Sequence, residues 1–119
     1  MDLVRADNQS KMRMNRIIMP MVLRPQISPA AAAIACAHGG LAGYLHWKDD
    51  PLVQEWVSSV FFKRIYRPTD MSTWSAVQRW PSALVLTEST LDHLPVIAVF
   101  KPCRWSSSLL FNELELYTE

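Results

Sequence analysis

One alanine-rich segment, Ser28 to Trp47, most constrains how this chain can fold. Ser28 carries the side-chain oxygen that a helix N-cap needs, and Pro29 suits the first helical position, where its missing N–H costs no hydrogen bond. The alanines that follow have high helix propensity and little side-chain volume. The segment therefore predicts a helix whose backbone lies close to whatever covers it, with His38 as its central polar side chain.

Length and composition restrict the chain to one globular domain. It has 119 residues, of which 50% are apolar and 19% charged, so it contains enough apolar surface for one core. The net charge of +1 provides no overall attraction to nucleic acid or membrane. We expect a flexible N-terminal arm over residues 1–13 and a single α/β domain over residues 14–119.

The two cysteines, Cys36 and Cys103, indicate neither a disulfide framework nor a zinc site. We expect two reduced thiols in a cytoplasmic protein, with no metal and no other cofactor. The alanine-rich segment contains His38 and three glycines, and alanine is only weakly hydrophobic, so we expect no membrane span. The N-terminus lacks the apolar core of a secretory signal.

Hydrophobic periodicity and turn residues predict the element order β-α-α-β-α-β-β. The apolar run over residues 16–24 is typical of a strand buried on both faces, although Pro20 favours a bulge or an edge there. After the alanine-rich helix the predicted elements are a helix over 51–60 capped by Asp50, a strand over 61–67, a helix from Thr69 or Asp70 to residue 79, and strands over 83–87 and 95–100. A helical turn over 105–110 follows, and the residues around Leu116 form an edge strand or a last helix.

These elements predict an α/β fold with a small mixed four-stranded sheet and helices on both faces. Helical connections between the early strands favour parallel pairing, and the short connection between the last two favours antiparallel pairing. Within the alanine-rich helix, Ala31, Ala35, His38 and Ala42 share one face because each residue turns by about 100°. Cys36 points largely away from His38, so the two cannot form a dyad.

Several segments in this order resemble the second, archaeal and eukaryotic type of peptidyl-tRNA hydrolase. The family has an Arg-x-Asp-Leu segment after its first strand, followed by a helix that opens with Gly-Lys and continues through Ala-Ala-Gln to small-small-His-Ala. Arg24–Pro29 takes the place of the first segment here, and Cys36-Ala37-His38 matches the small-small-His end of the helical motif. The strand ALVLTE, which ends at Glu88, and the apolar strand that ends at Pro102 follow the family's order. The resemblance covers about residues 17–102.

The chain departs from the family where the family's catalytic residues lie. Ala31 and Ala35 stand where the family has lysine and glutamine, and the acidic turn that begins at Glu88 lacks the family's Asp-Ala-Gly-x-Thr-Gln pattern. The resemblance implies a divergent peptidyl-tRNA hydrolase that acts on or binds the ester-linked end of tRNA, or a nucleotide, without a metal. His38 would then be the catalytic base, Glu88 would orient it, and Arg24 would supply a positive charge.

Basic and hydroxyl side chains near the predicted strand ends are the candidates for binding phosphate. They are Arg24, Thr87, Thr90, Lys101 and Arg104. Basic residues on the second strand could add to such a site, but strand charges also form ordinary solvated faces, and hydroxyl residues are good turn formers.

Three hypotheses remain open from the sequence. The first is the divergent hydrolase. The second is a catalytically inactive protein of the same fold that binds a nucleotide or RNA, including a viral protein that sequesters a nucleotide signal. The third is a structural or oligomeric role for the alanine- and glycine-rich helix face. Under each hypothesis we expect a homodimer. His38 would be a core or solvent-exposed histidine in the third case.

Overall fold

The computed structural model describes residues 16–105, 111 and 115–116. It contains three α-helices and six strands, with a short 3₁₀ turn over Ser89–Leu91. They are β1 (Ile17–Leu23), α1 (Pro29–Trp47), α2 (Pro51–Ser58), β2 (Phe62–Arg67), α3 (Met71–Val77), β3 (Leu84–Glu88), β4 (Leu94–Val99), β5 (Cys103–Arg104) and β6 (Glu115–Leu116). The predicted arm over 1–13 lies outside the described residues, as does the predicted turn over 105–110 except for Trp105.

The strands form one mixed sheet in the order β3-β4-β1-β2-β6, and β5 pairs with β1 beside β4. β1 and β2 are parallel, whereas β4 is antiparallel to both β1 and β3. The predicted small mixed α/β sheet is therefore confirmed. The prediction of four strands was wrong, because β5 is added after β4, and a pair of residues is too short to show a period. Around Leu116 the structure has a short edge strand, β6, and not a last helix, which selects one of the two predicted alternatives.

Pro20 lies in the middle of β1, and β1 is a central strand and not an edge. The carbonyl of Pro20 accepts a hydrogen bond from the backbone N–H of Phe100 (2.9 Å). The N–H and C=O of one strand residue point to the same neighbouring strand, so the missing N–H of Pro20 also faces this side. Pairing with β1 is interrupted there between Val99 and Cys103. The sheet accommodates the proline at this interruption, consistent with the irregular pairing that Pro20 favours.

Helices cover both faces of the sheet, as predicted. α1 and α2 pack on one face, over alternate residues of β1 such as Met19 and Met21. The other face carries α3, whose Trp74 and Val77 are fully buried beside Val22 of β1. β1 contributes side chains to both cores because it is completely buried.

α1 lies so close to the sheet that three of its positions have little room for a side chain. A Cβ atom added at Gly43 would lie 2.8 Å from Met19 Cε, and one added at Gly39 would lie 3.0 Å from Val99 Cγ2. Gly40 has comparable crowding from Lys63. The sequence predicts that the alanines let α1 approach its neighbours closely. The glycines extend this close contact, because they continue the buried side of α1 after Ala32 and Ala35.

Each α-helix begins with a side-chain cap. Ser28 accepts a hydrogen bond from the N–H of Ala31 (3.1 Å), Asp50 from that of Leu52 (2.8 Å), and Asp70 from that of Thr73 (2.7 Å). These contacts confirm Ser28 and Asp50 and select Asp70 over Thr69. Within the described part of the chain, no helix combines the length and the apolar character needed to cross a bilayer.

Candidate functional site

The chain brings three strand ends to one edge of the sheet. β1 and β2 are parallel, and β3 also runs parallel to β1 because each is antiparallel to β4. The residues at or just after the carboxyl ends of these strands, Arg24, Arg67 and Glu88, therefore share one edge. In α/β proteins this is the edge at which ligands usually bind.

A cleft of about 400 Å³ lies between α1 and the β3–β4 hairpin near this edge. Ala35, His38 and Ala42 line its α1 side. The opposite wall is formed by residues 85–88 of β3 with Val96 and Ile97 of β4. Alanines leave space beside His38 that larger side chains would fill. We call this cavity the His38 cleft.

The structure brings His38 and Glu88 together in this cleft. His38 Nδ1 lies 3.7 Å from Glu88 Oε2. The side chain of His38 is 64% exposed and that of Glu88 only 19%. The distance is too long for a hydrogen bond, which needs about 3 Å, but it places the two groups within ion-pair range. A histidine oriented by a partly buried carboxylate is an arrangement that can accept and return a proton.

Within its described lining, the His38 cleft contains neither lysine nor arginine. His38 and Glu88 are its only ionisable side chains there, so a phosphate placed beside Glu88 would be repelled. The lining is otherwise apolar apart from Thr87. An uncharged ester or a base fits this cleft better than a phosphate group does.

Arg24 lies in a second cavity at the same sheet edge, which we call the Arg24 cavity. Its Nη1 donates to the carbonyl of Pro95 (3.4 Å), and the cavity also contains Gln26 and Leu91. Pro95 pairs with Thr87, which is exposed and lines the His38 cleft. Arg24 therefore does not line the His38 cleft, but its guanidinium contacts the strand position opposite Thr87.

The remaining phosphate candidates are placed differently. Thr90 lies in the 3₁₀ turn after Glu88. Lys101 and Arg104 follow the other end of β4, and Arg104 pairs with Ile17 whereas Ile97 pairs with Leu23. Ile17 and Leu23 are six residues apart along β1, so Arg104 and Ile97 lie about 20 Å apart along the strand direction. The structure therefore does not bring Lys101 and Arg104 to the His38 cleft.

Both of these cations are also engaged with acidic residues, Lys101 with the N-cap of α2 and Arg104 with a residue within α2. Lys101 Nζ lies 2.6 Å from Asp50 Oδ2, and Arg104 Nη2 lies 3.4 Å from Glu55 Oε1. The hydrogen bond from Lys101, together with the bond from the Leu52 N–H, holds the pKa of Asp50 below its ordinary value. These contacts give both cations a structural role in joining α2 to the sheet.

Sequence reasoning missed an apolar groove on the other side of α1, the Phe61 groove. It is lined mainly by Gly40, Leu41, Tyr44, Trp56 and Phe61, and Lys63 also lines it. The side chain of Phe61 is half exposed. Its backbone has a φ of 38°, which is uncommon for a residue with a bulky side chain. Its ring contacts Trp56 edge-on, and Lys63 Nζ lies 5.1 Å from its centre. The sequence run FFKRIYR predicts only a strand, and no local signal marks the turn.

No group of three or more His, Cys, Asp or Glu residues that could hold a metal ion occurs in the described part of the chain. Comparison with models of known protein families gives no match, and comparison with curated protein sequences gives none either.

Proposed function

We propose that this chain is a divergent peptidyl-tRNA hydrolase-like protein whose His38 cleft holds the ester-linked end of tRNA, or of a related nucleotide. The observation that carries the proposal is the pairing of His38 with Glu88 across a cleft near the carboxyl ends of the strands. The resemblance in element order and in the segment that ends at His38 supports the same family of folds.

In the proposed reaction, His38 acts as a general base. When Nδ1–H of His38 donates to Glu88, Nε2 is left free to take a proton from water. The hydroxide equivalent attacks the ester carbonyl, the bond between the acyl carbon and the ribose oxygen breaks, and His38 returns the proton to that oxygen. The products are a carboxylic acid and an alcohol, and no metal takes part. Glu88 positions the imidazole and stabilises its protonated form.

Glu88 lies in the His38 cleft and Arg24 in the neighbouring cavity, and these opposite charges suggest how the substrate lies. The acyl ester occupies the His38 cleft, where the small residues Ala35 and Ala42 leave space beside His38. A phosphate of the nucleic acid lies toward Arg24, outside the cleft and away from Glu88. Thr87, which lines the cleft and pairs with the Pro95 that Arg24 contacts, lies between the two and would bind the ribose.

Release of labelled peptide from peptidyl-tRNA tests this proposal. The wild type should release the peptide, and His38→Ala should reduce the rate at least a hundredfold, within the range expected for loss of a general base. The matched control is His46→Ala, which changes an exposed histidine at the far end of the same helix. If the wild type gives no turnover, or if His38→Ala is as active as His46→Ala, the hydrolase proposal is wrong.

A second candidate function is binding without catalysis, in which the protein sequesters a nucleotide or an RNA end. The specific observation in its favour is the lining of the His38 cleft, where Ala35 and the other described residues provide no lysine or arginine to stabilise a developing oxyanion. Ligand binding to the native state raises the melting temperature. A rise with nucleotides or tRNA, together with no turnover, would select this function, and no rise across a broad panel would exclude it.

A further inference from the structure

Lys63 of β2 lines the Phe61 groove, where its charge has no acidic partner. Its Nζ lies 5.1 Å from the centre of the Phe61 ring and 6.0 Å from that of Trp56. Among the described residues, no carboxylate lines this groove and none forms an ion pair with Lys63. Aromatic rings attract an exposed ammonium only weakly. The groove therefore presents a cation that an anionic ligand can pair with.

Gly40 of α1 provides the space that the Lys63 side chain occupies. A Cβ atom added at Gly40 would lie 2.9 Å from Lys63 Cε and 3.8 Å from its Nζ. Any larger residue at this position would displace the end of the lysine side chain. α1 and β2 together thus determine where the ammonium lies in the groove.

The two rings beside Lys63 are held in place by backbone contacts. The Trp56 indole N–H donates to the carbonyl of Phe62 (2.8 Å), and the Phe61 N–H donates to the carbonyl of Trp56 (3.2 Å). The rings meet edge-on, with their centres 6.3 Å apart. Uncommon backbone angles such as the φ of Phe61 concentrate at ligand sites. Rings fixed in advance reduce the entropy that a ligand loses on binding.

We propose that the Phe61 groove binds a small aromatic carboxylate, with the ligand ring against Phe61 and the ligand carboxylate on the Lys63 ammonium. Charge complementarity carries this choice of ligand. One cation in a groove without an acidic residue suits a monoanion, whereas a phosphate with two negative charges needs more donors than one ammonium supplies. The volume of about 290 Å³ is just below the range of about 300–1,000 Å³ for drug-sized ligands, so it suits a smaller molecule.

The polar groups of the groove favour a small acid over a peptide that ends in an aromatic residue. In the described lining they are the Lys63 ammonium, the Tyr44 hydroxyl and the Trp56 indole N–H, and the indole N–H is already bound to Phe62. A peptide would bring several backbone N–H and C=O groups that lack partners there, at a cost in affinity. A flat ring gains more than an alkyl chain because it can pack on Phe61 as Trp56 does.

This site is separate from the one proposed for ester hydrolysis. The Phe61 groove and the His38 cleft lie on different sides of α1 and share no lining residue. The inference therefore does not rest on the chemistry of the His38 cleft, and each site can be tested without the other.

Titration with 2-naphthoate, followed by amide NMR spectra of the whole chain, tests the proposal. We expect a Kd of about 0.1–1 mM, as is usual for so few non-hydrogen atoms, with the largest shifts at the amides of Gly40 and Phe61. The neutral 2-naphthamide has the same shape and should bind about five- to tenfold more weakly, because it lacks the ion pair. No binding, equal affinities or largest shifts outside the groove would overturn the proposal.

Two substitutions test the role of Lys63. Lys63→Met should weaken 2-naphthoate about five- to tenfold and leave 2-naphthamide unchanged, because only the charge is lost. Gly40→Ala keeps the charge but displaces it, and should also weaken 2-naphthoate. Lys48→Met, at the exposed end of α1, is the matched control. If either substitution in the groove binds 2-naphthoate as tightly as Lys48→Met does, the proposal is wrong.

Two further probes test the class of ligand in the same NMR titration. Octanoate carries the carboxylate on an alkyl chain, and a tripeptide that ends in tryptophan carries it on a peptide. Both should bind more weakly than 2-naphthoate, because the first lacks a ring and the second leaves backbone groups unpaired. Tighter binding of either probe would overturn the assignment to a small aromatic acid.

Discussion

His38 Nδ1 and Glu88 Oε2 are 3.7 Å apart, although 50 residues separate them in the chain. Two features of the fold produce this contact. α1 crosses back over the sheet after β1, and the β3–β4 hairpin brings the end of β3 beside it. Because the two side chains come from different elements that pack closely, their separation is set by the core beneath them.

We predict that His38 and Glu88 act as one unit. Glu88→Gln should lower kcat for ester hydrolysis about ten- to a hundredfold with little change in KM, because the amide keeps the shape but not the charge that stabilises protonated His38. The double variant Glu88→Gln with His38→Ala should be no slower than His38→Ala alone. Steady-state kinetics on peptidyl-tRNA measure all three. Additive losses would show that the two residues act independently.

The structure confirms one geometric part of the sequence hypothesis, the closeness of His38 and Glu88, and their roles stay predictions. His38 and Glu88 were singled out from the resemblance, and the structure places both in one cleft. Lys101 and Arg104 were grouped with them only because they follow β4 in the chain. Local sequence does not show that β4 leads away from the cleft, since that depends on the antiparallel register with β1. Nor does it show Asp50 and Glu55 as their ion-pair partners.

We predict that only one end of the sheet binds phosphate. Arg24→Gln should weaken the binding of a nucleotide or tRNA at least tenfold and should reduce the salt dependence of binding, since a phosphate contact is lost. Arg104→Gln removes the same charge from the opposite end and is the matched control. Fluorescence anisotropy at two salt concentrations measures both. Equal weakening by the two substitutions would contradict a phosphate site at Arg24.

Capping residues, turn residues and hydrophobic periodicity predicted most of the helices and strands. The wrong predictions concerned strand pairing, which depends on residues far apart in the chain. The caps at Ser28 and Asp50 fixed the starts of α1 and α2 because their hydrogen bonds are local. The central position of β1 was not predictable in this way. Pro20 argued for a bulge or an edge, and only the interruption between Val99 and Cys103 on the neighbouring side shows why it is tolerated at the centre.

The close packing of α1 on the sheet gives a stability prediction. Gly43→Leu should reduce the free energy of unfolding by about 2 kcal/mol, because overpacking against Met19 and Val99 costs about 3 kcal/mol and helix propensity returns about 1 kcal/mol. Ala33→Leu is the control, since it adds the same side chain on the exposed side of the helix. Urea denaturation at a protein concentration too low for association compares them. A Gly43→Leu variant as stable as the wild type would mean that α1 can move away from the sheet.

The free energy of unfolding should decrease at acidic pH because of the helix caps Asp50 and Asp70. The pKa of Asp50 is held low chiefly by the Lys101 hydrogen bond, and that of Asp70 by the Thr73 N–H and then the Ser72 hydroxyl. A depressed pKa in the folded state adds stability above the ordinary value of 3.8, and this stability disappears as the pH falls through the folded value.

The double variant Asp50→Asn with Asp70→Asn isolates this effect, because asparagine still caps a helix but carries no charge. At pH 7 it should be less stable than the wild type, and the difference should vanish as the pH is lowered well below about 4. Denaturation curves across this range measure it. Asp49→Asn, which changes an exposed neighbour that caps no helix, should show no such convergence. A difference that stays constant with pH would exclude the charge as its source.

The reactivity of the Cys36 thiol should report on the charge of Lys63. Burial raises the pKa of the Cys36 thiol, and the positive charge of Lys63 opposes that rise. In a Cys103→Ser background, Lys63→Met should therefore slow the reaction of Cys36 with a disulfide reagent at pH 8, because less of the thiol is ionised. Raising the salt concentration should slow the parent in the same direction and leave the Lys63→Met variant nearly unchanged. Lys48→Met removes an equal charge from the end of α1 and should have no effect. Labelling rates that do not respond to Lys63→Met would show that the charge does not reach the thiol.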